Sequence, residues 1–232
     1  ENFGFLGPIK EQLEFKHASD SGPLLDPLVQ FASDFNVFVL AGGFVEYCEM
    51  TQRYFQTCVM LGPRGEVLAR YRKRHLFDVS LLDFQYLESE YLLAGDDISI
   101  VDVLGWRVGL SICYDLRFPE HYRMLSALGA DILLVPAAFT LQTGKDHWEV
   151  LLRARAIENQ AFVMAPAQWG CHSESRTSWG KSMVVDPWGC VVAQVAEKSG
   201  WALSWLHKDD LQSVRCQIPA LDHRRDAEGQ SA

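Results

Sequence analysis

The chain has 232 residues, of which 48% are hydrophobic and 22% charged, so it is long enough to form one large domain with a sizeable core. Its formal net charge of −9 argues against a nucleic-acid partner or an anionic membrane, and no apolar run approaches the roughly 20 residues that a membrane span needs. The six cysteines form no CxxC pair and no zinc-ligand spacing, and nothing resembles a signal peptide, so we expect free thiols and a cytoplasmic location.

The first half of the chain predicts one helix followed by short strands. Leu25, Leu28 and Ala32 share one face of a helix, and the apolar run before Gly42-Gly43 is typical of a strand buried on both faces. In chain order we predict a loop over 1–22, a helix over 23–34, a strand over 37–41, a hairpin of 57–61 with 67–71, and an active-site loop with at most one helical turn over 78–97.

The second half predicts more strands than helices. In chain order we predict a hairpin of 98–103 with 107–112, a helix over 120–128, a strand over 131–135, a helix over 145–160 that Asp146 can cap, strands over 161–165, 183–186, 191–195 and 201–206, and a helix over 209–217 before a polar tail from 222. Frequent hairpins and few helices favour a sheet-on-sheet sandwich with helices outside over a doubly wound parallel sheet. No glycine-rich phosphate loop follows a strand.

The segment from Arg107 to Glu120, RVGLSICYDLRFPE, contains the clearest catalytic candidate. Its alternating apolar residues predict a strand that ends before Cys113, and Pro119 is tolerated in the first turn of a following helix. A cysteine at such a turn lies near backbone N–H groups and a helix N-terminus, which favour a thiolate and an adjacent oxyanion. The alternative is that Cys113 is a buried small apolar residue without a catalytic role.

Several motifs together resemble the nitrilase superfamily, the carbon–nitrogen hydrolases with a Cys–Glu–Lys triad. CYDLRFPE at Cys113 resembles the nucleophile motif, and YRKRHL, which begins at Tyr71, resembles the lysine motif. The helix WEVLLRARAIEN and the turn DPWG resemble two structural signatures. The resemblance implies an α+β fold built as a four-layer α-β-β-α sandwich, a small-molecule amide substrate, no metal or organic cofactor, and pairing into a homodimer or a higher homo-oligomer.

The resemblance also implies roles for individual residues. Cys113 would be the nucleophile, and Lys73 would hold the oxyanion and lower the thiol pKa. Glu1 would be the general base, since Glu1-Asn2-Phe3-Gly4-Phe5 resembles the second half of the family's FLPE-x-F motif; the alternative is a terminal residue without a role. Glu88 would support Lys73, with Glu90 as the runner-up and a solvated loop carboxylate as the alternative. Tyr114, His75, Arg117 and Phe139 are the remaining candidates for oxyanion or substrate binding.

We expect a single domain over residues 1–232 that lacks the strand and helix preceding the general base in this superfamily, a unit of about 30 residues or more. The combination of motifs most resembles the branch that hydrolyses deaminated glutathione. The chain departs from that branch after Val79, where Ser80-Leu81-Leu82-Asp83 replaces the usual Glu-Ile-Pro-Gly. Alternatives are an ω-amidase, an N-carbamoyl amidohydrolase, or a non-catalytic nitrilase-like binding protein.

Overall fold

The first part of the fold is an antiparallel sheet preceded by two helices. The computed structural model describes residues 1–7, 9–14, 21–81, 84–173 and 176–225. The elements are α1 (Ile9–Glu14), α2 (Asp26–Phe35), β1 (Val39–Cys48), β2 (Arg53–Leu61) and β3 (Val67–Arg72), with the strands paired in that order. The predicted helix over 23–34 and the predicted hairpin of 57–61 with 67–71 are confirmed, although β2 begins earlier.

Strand β1 continues through Gly42 and Gly43, where the sequence predicts its end. Its pairing with β2 shifts register between Ala41 and Phe44, and Gly43 has a φ of +71°. A Cβ atom at Gly43 would lie 2.5 Å from the Cα atom of Glu1. The glycines therefore form a β-bulge, and the missing side chain at Gly43 lets the backbone of Glu1 lie directly against the sheet.

Residues 78–97 contain a hairpin where the sequence predicts a loop. Strand β4 (Asp78–Leu81) pairs antiparallel with β5 (Phe84–Leu87), and one 3-10 turn over Glu88–Glu90 follows. The single helical turn is confirmed, but the loop prediction is wrong for the two strands. Strands of four residues each carry too little periodicity to be recognised in the sequence.

The second sheet has six strands in the order β13-β12-β9-β8-β7-β6. In chain order these are β6 (Ile100–Val103), β7 (Trp106–Leu110), β8 (Ile132–Leu134), β9 (Phe162–Ala165), β12 (Met183–Val185) and β13 (Val191–Gln194). Between β9 and β12 the chain forms a separate hairpin, which the sequence does not predict, of β10 (Trp169–Ser173) and β11 (Arg176–Trp179). Strands β7, β8 and β9 are parallel, and their carboxyl ends point toward one edge of the sheet. The predicted strands over 98–103, 107–112, 131–135, 161–165, 183–186 and 191–195 are thus confirmed.

Three further helices are α3 (Pro119–Ala127), α4 (Leu141–Asn159) and α5 (Lys208–Gln217), each at a predicted place. Helix α4 begins before the predicted residue 145, because the hydroxyl of Thr140 accepts the Thr143 N–H at 3.4 Å and caps it. Asp146 lies inside the helix, so its predicted role as the cap is wrong. Gly144 in the first turns lowers the helix propensity there and conceals the true start.

The layers pack in the order helix, sheet, sheet, helix, which confirms the predicted α-β-β-α sandwich. Leu25 and Ala32 of α2 pack against Ala41 and Phe44 of β1 on the outer face of the first sheet. Between the sheets, residues of β2, β3, β7 and β8 join one buried cluster, and Trp148, Leu152 and Ala156 of α4 add the fourth layer. Because buried apolar area drives folding, this continuous core holds both sheets in a fixed relation.

The predicted strand over 201–206 is wrong. This segment belongs to no strand in the described part of the chain, and its alternating residues Trp201, Leu203 and Trp205 are 81%, 69% and 80% exposed. The alternation of apolar residues thus faces solvent and has no neighbouring strand to pair with, so the period-two pattern misleads here. Within the described ranges, no helix combines the length and the apolar character that crossing a membrane requires.

Candidate active site

Cys113 lies in a strained turn between β7 and α3. Its φ is +45°, a region that non-glycine residues rarely adopt, and its N–H donates to the Pro136 carbonyl at 2.9 Å. A 3-10 helix over Cys113–Arg117 follows, and Arg155 of α4 donates to the Leu116 carbonyl of that helix at 2.7 Å. The surrounding contacts therefore fix an unusual backbone conformation at the thiol, as is common where a side chain must be aimed at a reacting atom.

Lys73 directly follows β3, and its side chain is completely buried between two carboxylates. Its N–H donates to the Gln56 carbonyl at 2.8 Å, which extends the pairing with β2 and fixes the backbone. The Nζ atom donates to Glu1 Oε1 at 2.7 Å and to Glu88 at 2.8 Å (Oε2) and 3.1 Å (Oε1). A lysine buried to this extent is stable as an ammonium only because both carboxylates contact it.

Glu1 is also buried and contacts both sheets. Its Oε1 atom accepts from Lys73 beyond the first sheet, and its Oε2 atom accepts the Ala138 N–H, which follows β8 of the second sheet, at 3.3 Å. The Cys113 thiol lines the same pocket as this carboxylate and interacts with it electrostatically. Glu1 therefore links the lysine to the cysteine.

Glu88, and not Glu90, is the second carboxylate at Lys73. Glu88 begins the 3-10 turn, is 4% exposed, and accepts the Phe77 N–H at 2.8 Å besides its contacts to Lys73. Glu90 is exposed on the same turn. A 3-10 turn has three residues per revolution, so side chains two positions apart point in different directions. Only one of these two glutamates can therefore reach the lysine.

The contacts within this cluster set the charges of its members. Burial alone would raise the pKa of Glu1, but the charge of Lys73 and its hydrogen bond to the carboxylate outweigh burial and lower that pKa. Burial and the charge of Glu1 raise the pKa of the Cys113 thiol well above its usual value, against the influence of Lys73. Burial would lower the pKa of Lys73, but Glu1 and Glu88 raise it. The resting site thus holds a carboxylate, an ammonium and a protonated thiol.

Asp115 connects the lysine segment to the cysteine turn. This fully buried carboxylate accepts the Tyr71 hydroxyl at 2.7 Å, the Ile112 N–H at 2.8 Å and the His75 N–H at 3.1 Å, and its Oδ1 atom lies 2.7 Å from His75 Nδ1. Tyr71 and His75 flank Lys73, whereas Ile112 precedes Cys113. One carboxylate therefore holds the two segments in register across the two sheets.

Replacing Asp115 by asparagine is expected to lower the free energy of unfolding at pH 7 by about 3 kcal/mol, because an amide cannot accept all of these hydrogen bonds. Burial would raise the pKa of Asp115, but its contacts with His75, His121 and Tyr71 lower it. The carboxylate's contribution is therefore complete above the unfolded pKa of about 3.9 and is lost as the pH falls through the lower folded value. The difference in the free energy of unfolding is measured by urea unfolding of the unaltered and the Asp115→Asn proteins, at pH 7 and in acid. The matched control is Asp102→Asn, at an exposed position on β6.

A pocket lies above Cys113. It is lined by residues from both sheets, the cysteine turn and the β11 hairpin, namely Glu1, Phe77, Glu88, Cys113, Tyr114, Arg117, Ala138, Phe139, Thr140, Thr143 and Arg176. Arg117 lies over the Phe139 ring, with its guanidinium carbon 5.2 Å from the ring centroid. The pocket therefore places charged, hydroxyl and aromatic groups around the thiol.

The structure brings most of the predicted site residues together. Glu1, Glu88, Cys113, Tyr114, Arg117 and Phe139 line the pocket, and Lys73 lies directly behind Glu1. His75 is not among the lining residues; its ring stacks on Phe118 at 3.8 Å between centroids and pairs with Asp115. The sequence does not identify Thr140, which caps α4 ahead of the predicted start of that helix. It also does not identify Arg176, which lies on the unpredicted strand β11. In the described part of the chain, no three His, Cys, Asp or Glu side chains are grouped as metal ligands would be.

Comparison with known proteins agrees with this geometry. The family model of the carbon–nitrogen hydrolases matches residues 3–215. A deaminated glutathione amidase of Synechocystis is 48% identical over 230 residues, covering 97% of this chain and 84% of that protein. A deaminated glutathione amidase of Homo sapiens is 42% identical over 232 residues, covering 97% and 70%. The crystal structure of the C. elegans NitFhit protein superposes with a TM-score of 0.85 at 39% identity, covering 93% of this chain and 53% of that one.

Proposed function

Because this chain belongs to the carbon–nitrogen hydrolase family, we propose that it hydrolyses a small-molecule amide through a thioester on Cys113, with Glu1 as the general base and Lys73 as the oxyanion donor. The observation that carries this proposal is that one buried carboxylate, that of Glu1, interacts both with the Lys73 ammonium, at 2.7 Å, and with the Cys113 thiol. A nucleophile, a base and a cation in mutual contact are the groups that acyl transfer by a thiol needs.

In the acylation step, Glu1 takes the thiol proton of Cys113 while the sulfur forms a bond to the amide carbonyl carbon. The carbonyl oxygen gains the negative charge, and Lys73 together with the backbone N–H of Tyr114 stabilises it. The C–N bond then breaks as Glu1 returns its proton to the departing nitrogen. A free amine or ammonia and a thioester of Cys113 result.

In the deacylation step, Glu1 takes a proton from a water molecule, whose oxygen attacks the thioester carbonyl. The carbon–sulfur bond breaks, the acid leaves, and Cys113 recovers its proton from Glu1. Glu1 is ionised at rest because its pKa is low, so it is ready to accept a proton in both steps. Glu88 contributes by holding the Lys73 ammonium from the other side.

Deaminated glutathione is the proposed substrate, since relatives at 42% and 48% identity are deaminated glutathione amidases. It is the amide of 2-oxoglutarate with cysteinylglycine. An ω-amidase acting on 2-oxoglutaramate and an N-carbamoyl amidohydrolase remain the alternatives within the family. Of the four residues at which the chain departs from that branch, Ser80 and Leu81 belong to β4, and Leu82 and Asp83 lie outside the described residues. On the paired strand β5, Tyr86 packs on the pocket residue Phe77 with 5.7 Å between ring centroids.

The test is a comparison of kcat/KM for deaminated glutathione, 2-oxoglutaramate and an N-carbamoyl amino acid. We expect the highest value for deaminated glutathione, with 2-oxoglutarate and cysteinylglycine released in equal amounts. A higher value for 2-oxoglutaramate would assign an ω-amidase, and a higher value for the carbamoyl compound would assign that hydrolase. No turnover of any of the three, with the substrates still binding, would favour the non-catalytic binding protein.

A further inference from the structure

Arg176 is a pocket cation whose guanidinium pairs with no acidic side chain among the residues that the structure describes. It is the first residue of β11 and lines the pocket with Glu1 and Glu88. Its guanidinium carbon lies 4.7 Å from the centroid of the Tyr86 ring, and the Tyr86 hydroxyl interacts with it. Within the described ranges, no carboxylate oxygen lies within 4.0 Å of Arg176.

Three other cations that are partly or fully buried differ from Arg176, because each pairs with a carboxylate. Arg72 pairs with Glu46 at 2.7 Å, Arg155 with Glu158 at 2.9 Å, and Lys73 with two carboxylates. Removing a guanidinium from water is costly unless its donors are satisfied, and the ring of Tyr86 satisfies few of the five N–H groups. Because Arg176 lines the pocket, its guanidinium can meet a molecule that enters there.

The charges around Arg176 keep it positive without occupying it. Burial would lower its pKa, but Tyr86, Glu1 and Glu88 outweigh this and raise it. Glu1 and Glu88 are themselves engaged by Lys73 at 2.7 and 2.8 Å, so they act on Arg176 only at longer range. A planar guanidinium matches a carboxylate, which it can bind through two parallel hydrogen bonds.

We propose that Arg176, supported by Tyr86, binds a carboxylate of the amide substrate and so selects acidic amides. This inference rests on the proposed amidase function and names the substrate class of the same pocket. Arg117, the other pocket arginine, differs because it bonds to His147 at 3.3 Å and covers the Phe139 ring. Arg176 instead belongs to the β10–β11 hairpin and contacts Tyr86 of the β4–β5 hairpin.

The carboxylate has two possible sources in an amide such as deaminated glutathione. One belongs to the acyl part, the 2-oxo acid, and the other belongs to the glycine of the leaving part. 2-Oxoglutaramate carries only the first, because its leaving group is ammonia. Pentanamide has an acyl chain of the same carbon number and carries neither carboxylate.

The experiment compares Arg176→Gln and Arg176→Lys with the unaltered protein on these three amides. We expect Arg176→Gln to lower kcat/KM roughly 10- to 100-fold for deaminated glutathione, to leave pentanamide within about twofold, and Arg176→Lys to recover part of the loss. A loss on 2-oxoglutaramate as well assigns the acyl carboxylate, and its absence assigns the glycine carboxylate. Arg64→Gln, in the exposed turn between β2 and β3, is the matched control and should change nothing.

Equal losses on pentanamide and on the acidic amides would overturn the proposal, since Arg176 would then act through the charges of Glu1 and Glu88. Binding measured by calorimetry separates this inference from the amidase function. Deaminated glutathione should bind the Cys113→Ala protein 10- to 100-fold more tightly than the Cys113→Ala/Arg176→Gln protein, as expected for a charged hydrogen-bonding pair of roughly this strength, whether or not turnover occurs. Equal affinity of the two proteins, or no binding to either, would contradict the carboxylate site.

Discussion

The Cys113→Ala protein is expected to lose nearly all amide hydrolysis. Removing the nucleophile of a catalytic unit of this kind costs a factor on the order of 10⁶ in kcat, because the remaining groups stabilise a reaction that no longer has a covalent route. The fold should survive, since Cys113 contributes only a small side chain to the end of the core. The measurement is kcat on deaminated glutathione, with folding checked by the unfolding temperature.

Cys171→Ala and Cys190→Ala are the matched controls, because both cysteines are exposed and neither lines the pocket. Both proteins should keep the rate of the unaltered protein. If Cys113→Ala kept more than a few per cent of the activity, Cys113 would not be the nucleophile, and the attack would have to come from a group such as water activated by Glu1.

The Lys73→Met protein is expected to lose roughly 10²- to 10³-fold in kcat, the usual loss when one oxyanion donor is removed. A second effect follows from electrostatics, because Lys73 lowers the pKa of Glu1. Without Lys73 that pKa rises, so Glu1 becomes protonated at a higher pH, and the acid limb of the kcat/KM profile should move to higher pH. An acid limb that does not move would show that Lys73 does not set the pKa of Glu1 during turnover.

Removing Lys73 leaves two buried carboxylates without their cation, so Lys73→Met is also expected to unfold more readily. The double variant Lys73→Met/Glu88→Gln removes one of these charges and should recover stability without recovering activity. Lys198→Met, at an exposed position after β13, is the matched control. Near-normal turnover by a folded Lys73 variant would exclude Lys73 from oxyanion stabilisation.

The parts of the site that the sequence predicts are those within continuous motifs. The alternation before Cys113 and the proline after it define a strand, a turn and a helix over a few residues, and the structure has this arrangement. Lys73 likewise sits at the end of a hairpin strand whose glycine-rich turn is recognisable. These elements are local, so propensity and periodicity are enough to find them, whereas the roles of Cys113 and Lys73 are implied by the family resemblance.

The parts that the sequence does not predict depend on contacts between distant segments. The choice of Glu88 over Glu90 follows from how the short β4–β5 hairpin aims one turn at Lys73. His75 pairs with Asp115 and stacks on Phe118 rather than lining the pocket, because Asp115 reaches it from the other sheet. Arg176 meets Tyr86 through two hairpins of four- and five-residue strands, which show no clear period.

The segment 201–206 shows the opposite failure. Its alternating apolar residues have the pattern of a half-buried strand, yet in the structure they face solvent, and the segment belongs to no strand in the described part of the chain. Whether a strand forms depends on a partner edge, and periodicity within one segment carries no information about such an edge. The need for a glycine at Gly43 cannot be read from the sequence for a related reason. It arises from the close approach of Glu1, which is distant in the chain.

The central claim is that one carboxylate, Glu1, and one cation, Lys73, serve a covalent intermediate on Cys113. Its most direct test is mass spectrometry of the enzyme quenched with acid during turnover of deaminated glutathione, followed by peptide mapping. The account predicts an acyl group of the mass of 2-oxoglutarate less water on the peptide that contains Cys113, removable by hydroxylamine and absent from Cys113→Ala. Turnover with no acyl group on Cys113, or with the acyl group on another residue, would contradict it.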